Sequence, residues 1–231
     1  KHTYTSDYNG NADGNHWLVL FGMREYSYLP YGNGWGVTVN SKLWDAYDDN
    51  DTRKSATVIS IDDEEIPFDK IDNQREYTGY YNKKYTPMSM LDEEGNTVSA
   101  VEQYGVSDFQ INQFQDYVVL RYSDVLLMAA ELGSGNAQAY FDQVRKRAYK
   151  DNFTAITLTP ANLLQERHLE FALEGVRYWD LLRQGINTAA STIAETTTLL
   201  SGGVPDIKTI SEGNIQTTKG LQQIPNTQIT L

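Results

Sequence analysis

Aromatic side chains set among glycine and asparagine are the residues of this chain best suited to chemistry. Sixteen tyrosines and four tryptophans are present, and many lie off any helical stripe. One cluster holds Tyr26, Tyr28, Tyr31 and Trp35, interleaved with Gly32, Asn33 and Gly34. A second holds Tyr77, Tyr80, Tyr81 and Tyr85, with Asn82, Lys83 and Lys84 among them. A flat aromatic face is an apolar platform whose polar tip still bonds to water or ligand. Sugar rings expose C–H faces that pack on such platforms, while Asn, Lys and Tyr groups answer the hydroxyls. The same side chains can equally pack loops against a scaffold, and the residues alone leave the two readings even.

Bond-making chemistry finds little support. With no cysteine there is no thiolate nucleophile, no disulfide and no cysteine metal site. No G-x-S-x-G elbow, H-E-x-x-H pair or P-loop occurs, and His2, His16 and His168 have no evident partners. The glycines around Asn33 and Trp35 lack the strand-then-helix context of a phosphate cradle. A glycosidase needs two carboxylates across a cleft; with 31 Asp and Glu such a pair stays open, although most are solvated surface. Asn9, Asn11, Asp13 and Gly14 copy the start of a calcium loop, but Leu20 stands where the closing glutamate belongs, so a plain loop is the better reading.

Charge narrows the partners. A formal net charge of −12 and a pI near 4.6 argue against nucleic acid and against docking on anionic lipid. No apolar run reaches the roughly 18 residues that span a bilayer. At 231 residues the chain is long enough for a sizeable core.

The elements that would position the aromatics fall into three stretches. Residues 1–115 are loop-rich, with a short helix over 41–47 capped by Asn40 or Ser41 and a strand over 57–61. A turn is expected over 92–96. Residues 116–200 read as a helical scaffold. Within it, 118–132 is apolar almost all round and so predicts a buried helix. Gly133-Ser134-Gly135 ends it, and Asn136 is placed to cap a second helix whose stripe is Ala137, Tyr140, Phe141, Val144 and Ala148. The two should form an antiparallel hairpin of tetratricopeptide-like shape. Residues 158–185 read as one long helix, opened by Thr159-Pro160 and stopped by Gly185. Its apolar stripe is Leu164, His168, Phe171, Val176, Trp179 and Leu182, with Phe171 and Trp179 expected in the core. A further helix is expected over 188–200, weakened by its threonines. From 201 to 231 the composition suggests an extended tail.

Along another face of the 158–185 helix lie Arg167, Glu170, Glu174 and Arg177, spaced three, four and three apart, where opposite charges can pair. Asp180 and Arg183 continue the series. A charge-laced helix holding its neighbours in register outweighs a catalytic carboxylate cluster. The same run, with Glu166, Phe171, Gly175, Leu181 and Gly185, resembles the ER-x-x-EF-x-x-EG-x-R-x-x-DL-x-R-x-G signature of the SusD/RagB family. RYSDVLLMAAE over 121–131 is similar to that family's RYAEVLLMYAEA helix, and FDQVRKRA over 141–148 to its LNxVRxRAG. Asp51-Thr52-Arg53 matches a D-x-R motif, and Gln223-Ile224-Pro225 resembles the closing PIP. Gln184 departs from the tryptophan usual before Gly185.

The resemblance implies a mainly α, SusD-like fold: a tetratricopeptide-like helical scaffold with long irregular loops and a few short strands. Arg167, Glu170, Glu174, Gly175, Arg177 and Asp180 would be its structural signature. It implies a non-catalytic lipoprotein on the cell surface, attached to the outer membrane through an N-terminal lipid absent from this chain. Such a protein captures a nutrient, here an oligosaccharide, and passes it to a SusC-like TonB-dependent transporter, without cofactor or metal. Tyr28, Tyr31, Asn33, Trp35, Tyr80 and Tyr81 are the expected ligand residues. Peptide binding and a protein-interaction scaffold are the alternatives. Because family members carry a signal peptide, a lipobox and a helical N-terminal half, the chain reads as the C-terminal part of a longer protein.

Overall fold

A computed structural model describes residues 17–69, 74–103 and 115–222. The calcium-like loop at Asn9, Asn11, Asp13 and Gly14, the histidines His2 and His16, and the closing Gln223-Ile224-Pro225 lie outside the described residues. In chain order come α1 (Trp17–Phe21), β1 (Met23–Arg24), β2 (Asn33–Gly34), α2 (Ser41–Ala46), α3 (Lys54–Thr57), β3 (Val58–Ser60) and β4 (Tyr80–Asn82). Then follow β5 (Ser89–Leu91), β6 (Thr97–Ser99), α4 (Ala100–Gln103), α5 (Tyr122–Glu131), α6 (Ala137–Tyr149), α7 (Pro160–Glu170) and α8 (Arg177–Arg183). The chain continues through α9 (Ile186–Ile193), β7 (Glu195–Ser201), β8 (Val204–Ile210) and α10 (Glu212–Thr218). Among the described residues the strands pair only two by two: β1 parallel to β2, and β3–β4, β5–β6 and β7–β8 antiparallel. No helix among them is long and apolar enough to cross a membrane. The fold is mainly helical with short strands, as expected.

Local signals set several starts. Asn40 caps α2 by accepting from the Lys42 N–H, and Thr159 caps α7 by accepting from the Asn162 N–H, with Pro160 in the first turn. Asn136, by contrast, makes no side-chain cap at α6. The α5–α6 hairpin turns through Gly133, whose φ of +72° suits glycine. Its core, with α7, is Leu126, Leu127, Ala130, Phe141, Val144, Leu163 and Phe171.

Four expectations fail. Residues 118–121 are not helical, and α5 is not buried all round: Tyr122, Val125, Met128 and Leu132 stay exposed on the side away from that core. The threonine-rich run after α9 is strand β7, because seven register pairs with β8 and the Tyr77–Leu200 bridge satisfy its backbone. Residues after 201 therefore carry a strand and a helix rather than a plain tail. Finally, the 158–185 segment is two helices with a turn between them.

That turn has an identifiable cause. Leu173 and Gly175 hold φ values of +65° and +78°. In a continuous helix the Glu170 and Ala172 carbonyls would accept from the N–H groups four residues on. Here both accept from Lys84 Nζ, at 3.1 and 3.0 Å. After the turn α8 is rotated so that Trp179 lies 61% exposed instead of in the core, edge-on to Tyr178.

Candidate ligand-binding site and the charged clamp beneath it

The loop-rich region has its own aromatic core. Met23, Tyr31, Ile59, Ile61, Ile66, Phe68, Tyr77 and Tyr81 form it, with Tyr26 and Leu200 packed against it. A second cluster, of Val39, Leu43, Tyr47, Val58, Leu169 and Ala172, ties the loops to the end of α7. Tyr80 and Tyr81 are neighbours on β4, so their side chains point to opposite faces. Tyr81 is 0% exposed, bonds Gln74 Oε1 at 3.1 Å, and burial pushes its hydroxyl pKa up. Tyr80 is half-buried and stacks on Trp44 at 5.6 Å. Tyr81 is therefore a core packing residue that presents no face to a ligand, whereas Tyr80 keeps part of its surface accessible.

The 26–36 loop behaves differently. Tyr28 and Tyr31 exchange backbone hydrogen bonds of 3.0 and 2.7 Å across a tight turn with a cis Leu29–Pro30 bond. The turn is pinned to its neighbour by Gly32 N–H to the Pro87 carbonyl (2.7 Å) and Ser89 N–H to the Pro30 carbonyl (2.9 Å). Tyr31 is enclosed at 5% exposure, but Tyr28 and Trp35 stay 39% and 41% exposed. Tyr28 stacks on Tyr26 at 6.4 Å with the rings 15° from parallel, and Leu29 and Met88 add exposed apolar surface beside it. Asn33 is half-buried, its N–H donating to Ser27 Oγ at 3.0 Å. The glycines here serve close approach: a Cβ on Gly34 would sit 2.3 Å from the Val19 carbonyl oxygen, and Gly36 holds φ +79°.

Of the six expected ligand residues, the structure thus brings Tyr28, Tyr31 and Asn33 together in one loop. Trp35 closes the same loop at the surface; Tyr81 shares the buried core with Tyr31, and Tyr80 stacks on Trp44 instead. The aromatic partner Tyr26 and the exposed Met88 were not among the six. For Tyr26 the signal was its place in the first cluster; for Met88, brought in by the Tyr31–Met88 bridge, the sequence carries none.

The charged signature builds something else. Arg53 lies in the loop-rich region, chelated by Asp51 at 2.7 and 2.9 Å, and donates to Glu166 (2.6 Å) and Glu170 (2.9 Å) on α7. Glu170 also accepts from Arg121 and Arg147. Burial alone would raise its carboxyl pKa, but Arg121, then the charge of Arg147 and the bond from Arg53, pull it down to about 2. Glu174 takes Lys84 at 2.7 Å and Arg121 at 2.9 Å, and burial lowers the Lys84 pKa despite that partner. Arg167 does not pair with Glu170 along the helix; it reaches Asp180 (2.9 Å) on α8 and Asp124 (2.7 Å) on α5. Arg177 donates to the Leu164 carbonyl at 3.3 Å. The series joins elements rather than lacing one helix.

A cavity of about 470 Å³ opens beside this network, lined in part by Arg53, Lys84, Tyr85, Arg121 and Arg147. A smaller one of about 200 Å³ lies between α5, α7 and α8, with Gln184 at its wall. Neither contains the exposed aromatic loop. In the larger, the donors of Lys84 and Arg121 are already taken by carboxylates and carbonyls, so it reads as a joint between the loops and the helices. Among the described residues no group of acidic or histidine side chains could hold a metal ion.

Comparison with known proteins points one way. The model of the SusD family matches residues 2–231. "SusD-like protein P2" of Formosa agariphila is 24% identical over 212 residues, 78% of this chain and 38% of its own length. Surface glycan-binding protein A from Bacteroides thetaiotaomicron, solved in complex with laminarihexaose, is 30% identical with a TM-score of 0.58. That match covers 89% of this chain and 44% of the other. A laminarin-binding SusD-like protein is 28% identical with a TM-score of 0.61, over 78% of this chain and 38% of the other. The chain spans less than half the length of these relatives.

Proposed function

The chain belongs to the SusD family, and from that premise we propose that it captures an oligosaccharide at the cell surface, without making or breaking a bond. The observation that carries this reading is the relative bound to laminarihexaose, 30% identical over 89% of this chain. A laminarin-type glucan is accordingly the first ligand to try. The exposed stack of Tyr28 on Tyr26, with Trp35 closing the same loop, is the binding face. Rigid aromatics suit capture and release, because little side-chain entropy is lost on binding. A SusC-like transporter in the outer membrane receives the ligand, and a lipid anchor holds the protein beside it.

Calorimetric titration with laminarihexaose and a panel of other oligosaccharides tests the reading. The chain is expected to bind at least one glycan, and Trp35→Ala and Tyr28→Ala each to weaken that binding about tenfold or more. No heat with any glycan would remove the function. Binding that both substitutions leave unchanged would move the site off this loop.

A further inference from the structure

Beside the exposed aromatic loop lies an ion pair that the clamp does not use. Tyr31 Oη donates to Glu64 Oε2 at 2.6 Å, and Lys83 Nζ meets Glu64 Oε1 at 3.0 Å. Lys83 also sits over the Tyr31 ring, 5.5 Å from its centroid. Tyr28 and Tyr31 are directly paired across their turn, which places their side chains on one face of that turn. Through the enclosed Tyr31, the exposed Tyr28 platform is therefore joined by contacts to Glu64 and Lys83. Both charged side chains remain accessible, at 28% and 29%.

Resting on the glycan-capture reading, we infer that Glu64 and Lys83 are the hydroxyl-reading edge of the Tyr28 site and select a neutral sugar with adjacent hydroxyls. Each sugar hydroxyl is at once donor and acceptor. A carboxylate side by side with an ammonium matches two neighbouring hydroxyls, one donating to Glu64 and one accepting from Lys83. Neither group is exhausted: the carboxylate has about four lone-pair directions and the ammonium three donors. Charge-assisted bonds of this kind are about twice as strong as neutral ones. The surroundings favour a neutral ligand, because Asp62, Asp63 and Glu65 flank Glu64 and the whole chain carries −12. A uronate or sulfate ester would be repelled there. Tyr31 is a positioning residue in this scheme, since its hydroxyl holds the carboxylate in place.

Lys83→Met and Glu64→Gln in the full chain, titrated with laminarihexaose, test the assignment, with a melting curve for each. Each variant is expected to bind about tenfold more weakly while Tm stays near that of the parent. An acidic oligouronate is expected to bind the parent far more weakly than the neutral hexasaccharide. Affinity within about twofold of the parent in both variants, with or without a lower Tm, makes the pair a loop staple and overturns the inference. The capture reading survives that result if Trp35→Ala still weakens binding. A parent chain that binds no glycan at all brings down the capture reading itself.

Discussion

Lys84 ties the loop-rich region to the end of α7. Its ammonium meets the Glu170 and Ala172 carbonyls and the Glu174 carboxylate, which matches its three donors one for one. Removing it takes the Lys84 bond from the Ala172 carbonyl, leaves the Glu170 carbonyl to Arg121 alone, and leaves Glu174, itself buried, with Arg121 as its remaining cation. Breaking a buried charge pair from one side costs about 3 kcal/mol or more. Lys84→Met keeps the apolar stem and is expected to lower stability by about 3 kcal/mol, or roughly 6–12 °C in Tm. A thermal melt decides it; a loss under about 1 kcal/mol would mean that water replaces the ammonium without cost. The contrast with Lys83 is instructive. The two lysines are adjacent in sequence and similarly accessible, at 24% and 29%, yet Lys84 meets the end of α7 while Lys83 pairs with Glu64 over the Tyr31 ring.

At the scale of elements, the open side of α5 is the feature most out of keeping with its sequence. Tyr122, Val125 and Leu132 fall three to seven residues apart and form an apolar stripe facing away from the hairpin core. Val125→Lys on that stripe should change stability by no more than about 0.5 kcal/mol in a thermal melt, since it fills no packed site. A loss of about 2 kcal/mol or more would mean that the stripe is covered. How far the elements were legible follows from where their determinants lie. The starts of α2 and α7 were readable because Asn40, Thr159 and Pro160 act on N–H groups within their own first turns. The end of α7 was not, because its terminator Lys84 stands 86 residues away from Glu170. Gly175 was a visible hint that the helix does not run through. β7 was misread as helix because a threonine-rich run takes its structure from the strand it meets, here β8. In the candidate site, the aromatic loop was visible as composition, but Tyr28 and Tyr81 are distinguished only by the loop core that encloses one of them. The charge series of 167–180 was visible as a spacing; its partners Asp124, Arg53 and Lys84 were not, since helical spacing speaks only of neighbours on the same helix.

Over the whole molecule, a buried neutral imidazole and a buried carboxylate make stability depend on acid in two steps. The His168 pKa is held down to about 4, first by burial and then by the charge of Arg177. The folded protein keeps this imidazole neutral while the unfolded chain protonates it near 6.5. Its contribution is therefore whole above pH 6.5 and is lost as pH falls towards 4. Glu170, lowered from 4.5 to about 2, contributes fully above pH 4.5 and loses that contribution as pH falls towards 2. Each interval corresponds to at most about 3 kcal/mol. Glu170 binds Arg53 from the loop-rich region and Arg121 and Arg147 from the scaffold, so its protonation loosens the joint between them. Tm is thus expected to fall from about pH 6.5 downwards, and more steeply below about 4.5. His168→Gln should flatten the upper step and leave the lower one. Circular dichroism, which follows the helices, and tryptophan fluorescence of a Trp179→Phe variant, which follows Trp17, Trp35 and Trp44 in the loop-rich region, should report one coincident transition throughout. Two separated transitions near pH 4 would show that the clamp does not couple loops to helices. A parent Tm that stays level between pH 6.5 and 4 would show that His168 titrates freely in the folded chain.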